Sequence, residues 1–265
     1  MPNDLYEQFD FMQKKLKRHT LGLSTIEVTA LLETITGIRI PQNQETDKKK
    51  DGGGNDNDDA NAKATVIAKR LAHQRCLVTK EGPLEETLKA ATKLAITTAQ
   101  KQKSKLGQLK SQNQKKGGKH TANGDNAKEV PSPSIFLFTH NANAAAEWFR
   151  QVKTAVASPK MIVAKLFARH MNVEKQAEEL AMHGANLFAV VGTPGRILRL
   201  IENGSMSANR ANLVIFDCIK DTKDRTVFDE PAVARDLVSC MKVLFNTPAE
   251  ETAKTIWTRP KLLLF

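Results

Sequence analysis

Apolar residues along the second half of this chain fall into two alternating patterns. Short apolar runs at Ile135–Phe138, Met161–Phe167 (broken once, at Lys165), Leu187–Val191, Leu213–Phe216 and Lys261–Phe265 (apolar after its lysine) are near-continuous rather than alternating, as expected of strands buried on both faces. Between them the apolar positions recur at helical spacing: Ala144, Trp148 and Val152; the amphipathic stretch Val173–His183 with Gly184 as its C-cap; Ile197, Leu198, Leu200 and Ile201, ended by Asn203 and Gly204; and Val233, Leu237 and Met241 after Pro231. Strands alternating with helices predict an α/β class with a parallel sheet and helices on both faces. At the centre, Leu187–Gly192 leads into Thr193-Pro194-Gly195-Arg196. Pro194 pre-sets φ for a first helical turn and Thr193 is placed to cap it.

The first half is patterned differently. Residues 1–40 predict a helical N-terminal extension, with Leu5, Phe9, Met12 and Leu16 on one helix face and Ile26, Ala30 and Leu31 on another. Ser24 and Glu27 stand at capping-box distance. Two readings stand for this extension: packing on the core, or docking on another protein. Residues 41–61 turn to Gln, Lys, Asp, Asn and Gly without apolar periodicity and read as a flexible linker. Residues 62–110 predict a helical segment broken near Gly82-Pro83, with Leu84, Leu88, Ala91 and Leu94 in a stripe. Residues 111–133 are a basic low-complexity linker, and residues 134–265 form the α/β domain.

Charge sharpens this picture. The 265 residues carry a formal net charge of +11, with a pI near 9.6, which favours a polyanionic partner over an acidic small substrate. Between Thr87 and Gly124 stand nine lysines, Lys101, Lys103 and Lys105 among them, and no carboxylate. That run is either a solvated face or an arm that lies along RNA or serves nuclear targeting. No apolar run approaches the roughly 20 residues that cross a bilayer, and the opening MPNDLYEQF does not read as a secretory signal. Cys76, Cys218 and Cys240 are odd in number and are expected as reduced thiols.

Two stretches bear on phosphate chemistry, one a near miss and one a candidate. Gly118-Lys119 is followed by His120 and preceded at the required distance by Asn113, so no GxxxxGK[ST] loop exists in the sequence. The candidate is the Thr193–Arg196 turn, where backbone N–H groups at a helix start and an arginine can receive a phosphate. For Arg196 a capping or intradomain ion-pair role is the competing reading.

VVGTPGRILRLIENG followed by LVIFD resembles the first RecA-like domain of DEAD-box RNA helicases, in which such a turn touches the RNA backbone and an Asp-Glu-Ala-Asp box ends the next strand. The resemblance implies a single RecA-like domain with a P-loop NTPase-like sheet. It also exposes losses. Asp217 is in register, but Cys218, Ile219 and Lys220 replace the remaining box residues; a thiol does not polarise water as a carboxylate does, and a lysine repels Mg²⁺. IFLFTHNANAAAEW is similar to the Pro-Thr-Arg-Glu-Leu segment, with His140 able to donate to a phosphate or merely sitting in a capping loop. Arg169 and His170 replace a Gly-Gly pair. With KLFARHMNVEKQAEEL and DEPAVARDL added, the ordered set resembles the degenerate DEAD-box-like family found in the U3-containing 90S pre-ribosomal complex, the small-subunit processome.

That resemblance implies a non-catalytic ribosome-biogenesis factor of the nucleus and nucleolus, with no cofactor, metal, membrane or small-molecule substrate. Its implied partners are pre-rRNA or small nucleolar RNA and protein subunits of the 90S pre-ribosome. RNA contacts are expected at Thr193, Gly195 and Arg196, then at His140, Arg169, Lys101, Lys103 and Lys105. Two other functions stay open: an ATP-dependent RNA helicase subunit whose second lobe is supplied elsewhere, and a pure protein-docking scaffold.

Overall fold

Five of the apolar runs become strands. In the computed structural model these are β1 (Ile135–Phe138), β2 (Ile162–Leu166), β3 (Leu187–Gly192), β4 (Leu213–Phe216) and β5 (Lys261–Leu264). The structure describes residues 5–17, 23–36, 86, 89–90, 92–98, 100–101, 104, 130–156, 158–169, 171–245 and 260–264. The strands form one parallel sheet in the order β2-β3-β1-β4-β5. This is the expected α/β architecture.

Both faces of the sheet are buried, and the period of two along each strand divides its side chains between them. Ile135, Leu137, Val191, Leu213, Ile215 and Leu263 face α3 (Ala142–Val156), meeting Trp148 and Val152. Ala95, from the described helical residues 92–98, joins that layer. Phe136, Phe138, Val190, Phe216 and Leu264 face the other way. They are covered by α4 (Val173–His183), α5 (Pro194–Glu202) and α6 (Pro231–Phe245). Crossover chirality explains the division. The chain leaves β1 outward to β2 with α3 on one face, then returns through β3 to β4 and β5 with α4, α5 and α6 on the opposite face, because crossovers of one hand that run in opposite directions must use opposite faces.

The N-terminal extension packs into the second layer. Helix α1 (Leu5–Leu16) contributes Met12 and Leu16, and α2 (Thr25–Thr36) contributes Val28, Leu31, Leu32 and Ile35. Phe11 meets Phe228 edge-on at 6.2 Å between ring centroids, and Phe228 meets Phe216 at 5.6 Å. Lys15 closes the contact, its Nζ donating to both carboxylate oxygens of Asp229 at 2.7 and 2.8 Å. At the start of α2 the Ser24–Glu27 box forms as expected, with Glu27 N–H donating to Ser24 Oγ and Ser24 N–H to Glu27 Oε2.

Three details differ from the sequence reading. Ala30 is exposed, because α2 buries the spacing Val28, Leu31, Leu32 and Ile35 instead. Leu94 is also on an exposed face, while Thr92 and Ala95 turn inward. Thr193 stands at the N-cap position of α5 but its side chain makes no capping bond. After Asp217, Asp221 binds Arg225 and Asp229 reaches across to α1. Leu84, Leu88, Ala91, Cys76 and His170 lie outside the described residues, as do Lys103 and Lys105. Cys218 and Cys240 are free and buried. Among the described residues no helix is long and apolar enough to cross a membrane.

Candidate nucleic-acid interface

The carboxyl ends of β1, β3 and β4 lie side by side, because Thr139 N–H donates to Gly192 O at 3.0 Å and Asp217 N–H to Phe138 O at 2.9 Å. Three of the candidate segments are thereby brought to one edge of the sheet. Gly192 is required for this. A Cβ there would stand well inside contact distance of the Leu166 carbonyl, whose oxygen accepts from Thr193 N–H at 3.1 Å.

In the turn after β3, Pro194 opens α5 and Thr193 O accepts from the N–H groups of Arg196 and Ile197. Gly195 faces α6, where a Cβ would collide with the Asp236 carboxylate. That carboxylate therefore sits beside the positive end of α5, a favourable place for a negative charge. Arg196 is buried, its Nη1 has no hydrogen-bond partner, and no ion pair holds it among the described residues. Burial lowers its basicity, with Arg199 adding to the effect and Glu174 opposing it. Neither the capping nor the ion-pair reading of Arg196 describes this geometry.

The exits of β1 and β4 part to opposite faces and leave a cleft of about 540 Å³. Such a crevice, at the point where the winding direction reverses, is where open α/β sheets bind ligands. At β1, Asn141 caps α3 by accepting Ala144 N–H at 2.9 Å, and this sets His140 into the cleft wall. His140 is only 8% exposed and neither ring nitrogen has a hydrogen-bond partner. Asp217 Oδ2 lies 3.9 Å from Nδ1 and Asp221 Oδ2 lies 3.7 Å from Nε2.

Asp217 itself is buried, and burial pushes its carboxyl up to about 6. The N–H of Ile219, the nearby His140 and a hydrogen bond from Trp148 pull the other way. Asp221 is held down to about 2 by hydrogen bonds from Arg225 and Lys223, against a smaller desolvation effect. Cys218 turns into the core, where burial, and then Asp217, push its thiol far above the ordinary range. Ile219 and Lys220 are exposed at the cleft mouth, Lys220 pairing with Asp224 at 2.7 Å.

The remaining candidates are scattered. Arg169 is exposed and its Nη1 donates to Asn143 Oδ1 at 3.3 Å, which ties the loop after β2 to the start of α3. Lys101 is exposed on its helix. Sequence reasoning passed over Trp148 as a partner of Asp217, Asp236 beside the turn, and Gln176, whose Nε2 donates to Phe167 O at 3.2 Å and braces the Arg169 loop. Only Trp148 carried a signal, being on the buried face of α3.

Protein CMSS1 of Danio rerio is 36% identical over 128 residues, and the human Protein CMSS1 is 29% identical over 119. These matches cover 48% and 44% of this chain, which spans 43% and 41% of the length of those relatives. Among solved structures, a DEAD box protein of Methanococcus jannaschii aligns at 19% identity with a TM-score of 0.32, over 51% of this chain and 31% of that one. Dbp5 of S. cerevisiae aligns at 15% with a TM-score of 0.32, over 52% of this chain and 36% of its own. The model of the CMS1 family, described as a U3-containing 90S pre-ribosomal complex subunit, matches residues 84–254. Covering more than half of the chain, that match makes this protein a member of the CMS1 family.

Proposed function

We propose that this protein is a non-catalytic subunit of the 90S pre-ribosome, working in the nucleolus, where it binds pre-rRNA or small nucleolar RNA together with neighbouring assembly proteins. The family match over residues 84–254 carries the reading. Its RNA side is supported by the excess of positive charge, by His140 in the cleft wall and by the exposed Arg169 after β2. Its non-catalytic side is supported by the missing GxxxxGK[ST] loop and by the exit of β4, where the residue after Asp217 is a buried thiol in place of a carboxylate.

Fluorescence anisotropy with single-stranded RNA and the full chain tests the RNA side. Affinity is expected to fall at least about tenfold between 50 and 200 mM salt, the signature of released counterions. An affinity that ignores salt rejects backbone binding. An ATPase assay tests the other side: RNA-stimulated turnover abolished by Asp217→Asn makes the protein an enzyme.

One observation favours protein docking at the turn itself. The Asp236 carboxylate beside Gly195 opposes a phosphate there. Arg196→Glu separates the two readings: unchanged salt-dependent RNA affinity removes Thr193–Arg196 from the RNA contact and leaves it to a protein.

A further inference from the structure

We infer that the cleft between β1 and β4 receives an unpaired guanine base of RNA, its hydrogen-bonding edge inward and its phosphate at the mouth. The inference rests on the RNA reading above and adds base recognition to it. The cleft has room: about 540 Å³ lies within the span of small-ligand pockets and exceeds what one base needs.

Its wall is unfinished. A neutral imidazole carries one donor and one acceptor, and buried polar groups are nearly always paired. His140 is more than nine-tenths buried, yet both nitrogens lack partners, and 3.7 and 3.9 Å to the flanking carboxylates are too long for hydrogen bonds. Asp217 lines the same wall. The interior therefore offers carboxylate acceptors beside a ring N–H that has nothing to bind.

One cation stands without an ion pair at the mouth. Of Lys220, Lys223 and Arg225, which line it together with Glu147, Lys220 is held by Asp224 at 2.7 Å and Arg225 by Asp221 at 2.9 Å, while Lys223 has no ion pair among the described residues. A nucleotide sets its phosphate at Lys223 and the donors of its base at the acceptors. Unpaired RNA bases are read in this way, by hydrogen bonds to their exposed edges.

Guanine fits the interior best among the four bases. Its N1–H and amino group are adjacent donors for Asp217, and its O6 is an acceptor for the His140 N–H. Uracil places a carbonyl on each side of its single N–H and sets oxygen against the carboxylate. Ile219, 47% exposed at the lip, supplies an apolar surface for the ring.

The test uses the full chain and a fluorescent oligouridylate of about nine nucleotides, compared with the same strand carrying one central G, C or A. The G strand is expected to bind about tenfold more tightly than all-U at fixed salt, and this comparison needs no variant to fold. Asp217→Asn, an isosteric change, is then expected to reduce the G preference to twofold or less while all-U affinity stays within about twofold, and His140→Ala is expected to reduce the G preference as well. Equal affinity for all four strands overturns the base pocket and leaves RNA binding standing. Failure to bind any strand overturns both. An oligo-arginine peptide bound in an Asp217-dependent manner, without base preference, assigns the cleft to a protein side chain and overturns the inference.

Discussion

Gly192 and Gly195 are three residues apart, and the space around each sets a different cost for adding one methyl group. At Gly192 the obstacle is the Leu166 backbone carbonyl, so Gly192→Ala must force β2 and β3 apart, at a cost of about 3 kcal/mol. At Gly195 the obstacle is the end of the Asp236 side chain, which can swing aside, and alanine is the better helix former. Gly195→Ala is therefore expected within about 1 kcal/mol of the parent. Urea midpoints of the two variants check this, and equal losses contradict it. Asp217 gives a pH test. Its carboxyl is raised to about 6 in the folded chain, chiefly by burial, so between roughly pH 4 and 6 the folded state holds a proton that the unfolded state has lost. Stability from this group is full below the ordinary carboxylate range and falls as pH rises through that window. Asp217→Asn is expected to stabilise the protein by about 2–3 kcal/mol at pH 7 and by almost nothing at pH 4. A gap that does not change with pH refutes the assignment.

At the scale of elements, the sequence showed most where burial was complete on both sides. β1, β3 and β4 came as unbroken apolar runs that needed no partner to be recognised, β2 was broken only by Lys165 and β5 opened on Lys261, and the close of Val173–His183 was marked by Gly184. Partly buried helices were harder to read. In α2 two apolar stripes overlap, and only contact with α6 decides that Val28, Leu31, Leu32 and Ile35 turn inward. The cleft was hidden for a related reason. His140 and Asp221 are 81 positions apart and meet only because β1 and β4 are neighbours in the sheet, an order that no local pattern encodes. The Lys15–Asp229 pair was invisible too, and it makes its own prediction. Burial alone would raise the Asp229 carboxyl, but hydrogen bonds from Lys15 and Thr226 outweigh it and hold the group down to about 2. Its contribution is present above the ordinary carboxylate range and lost as pH falls from about 4 to 2. Lys15→Met leaves a largely buried carboxylate without its cation and is expected to cost about 2–3 kcal/mol. Faster amide exchange should appear in α1 before it appears in β1. Uniform acceleration throughout the sheet contradicts a local latch.

For the molecule as a whole, α1 and α2 complete one of the two faces of the core rather than decorate it. A chain lacking residues 1–36 uncovers Phe228 and the α2-facing side of α6. It is expected to lose cooperative thermal unfolding or to aggregate, and a sharp transition at the parent temperature would show that the helices are dispensable. The separation of Lys15 from Asp229 by 214 positions has a consequence during synthesis. Helices α1 and α2 leave the ribosome before the element they pack on, and that element, α6, follows about 200 residues later, a wait of roughly 10–40 s at ordinary elongation rates. Throughout that interval the nascent chain presents Met12, Leu16, Leu32 and Ile35 to solvent. Chaperone capture should therefore concentrate on α1 and α2 and cease once α6 has emerged.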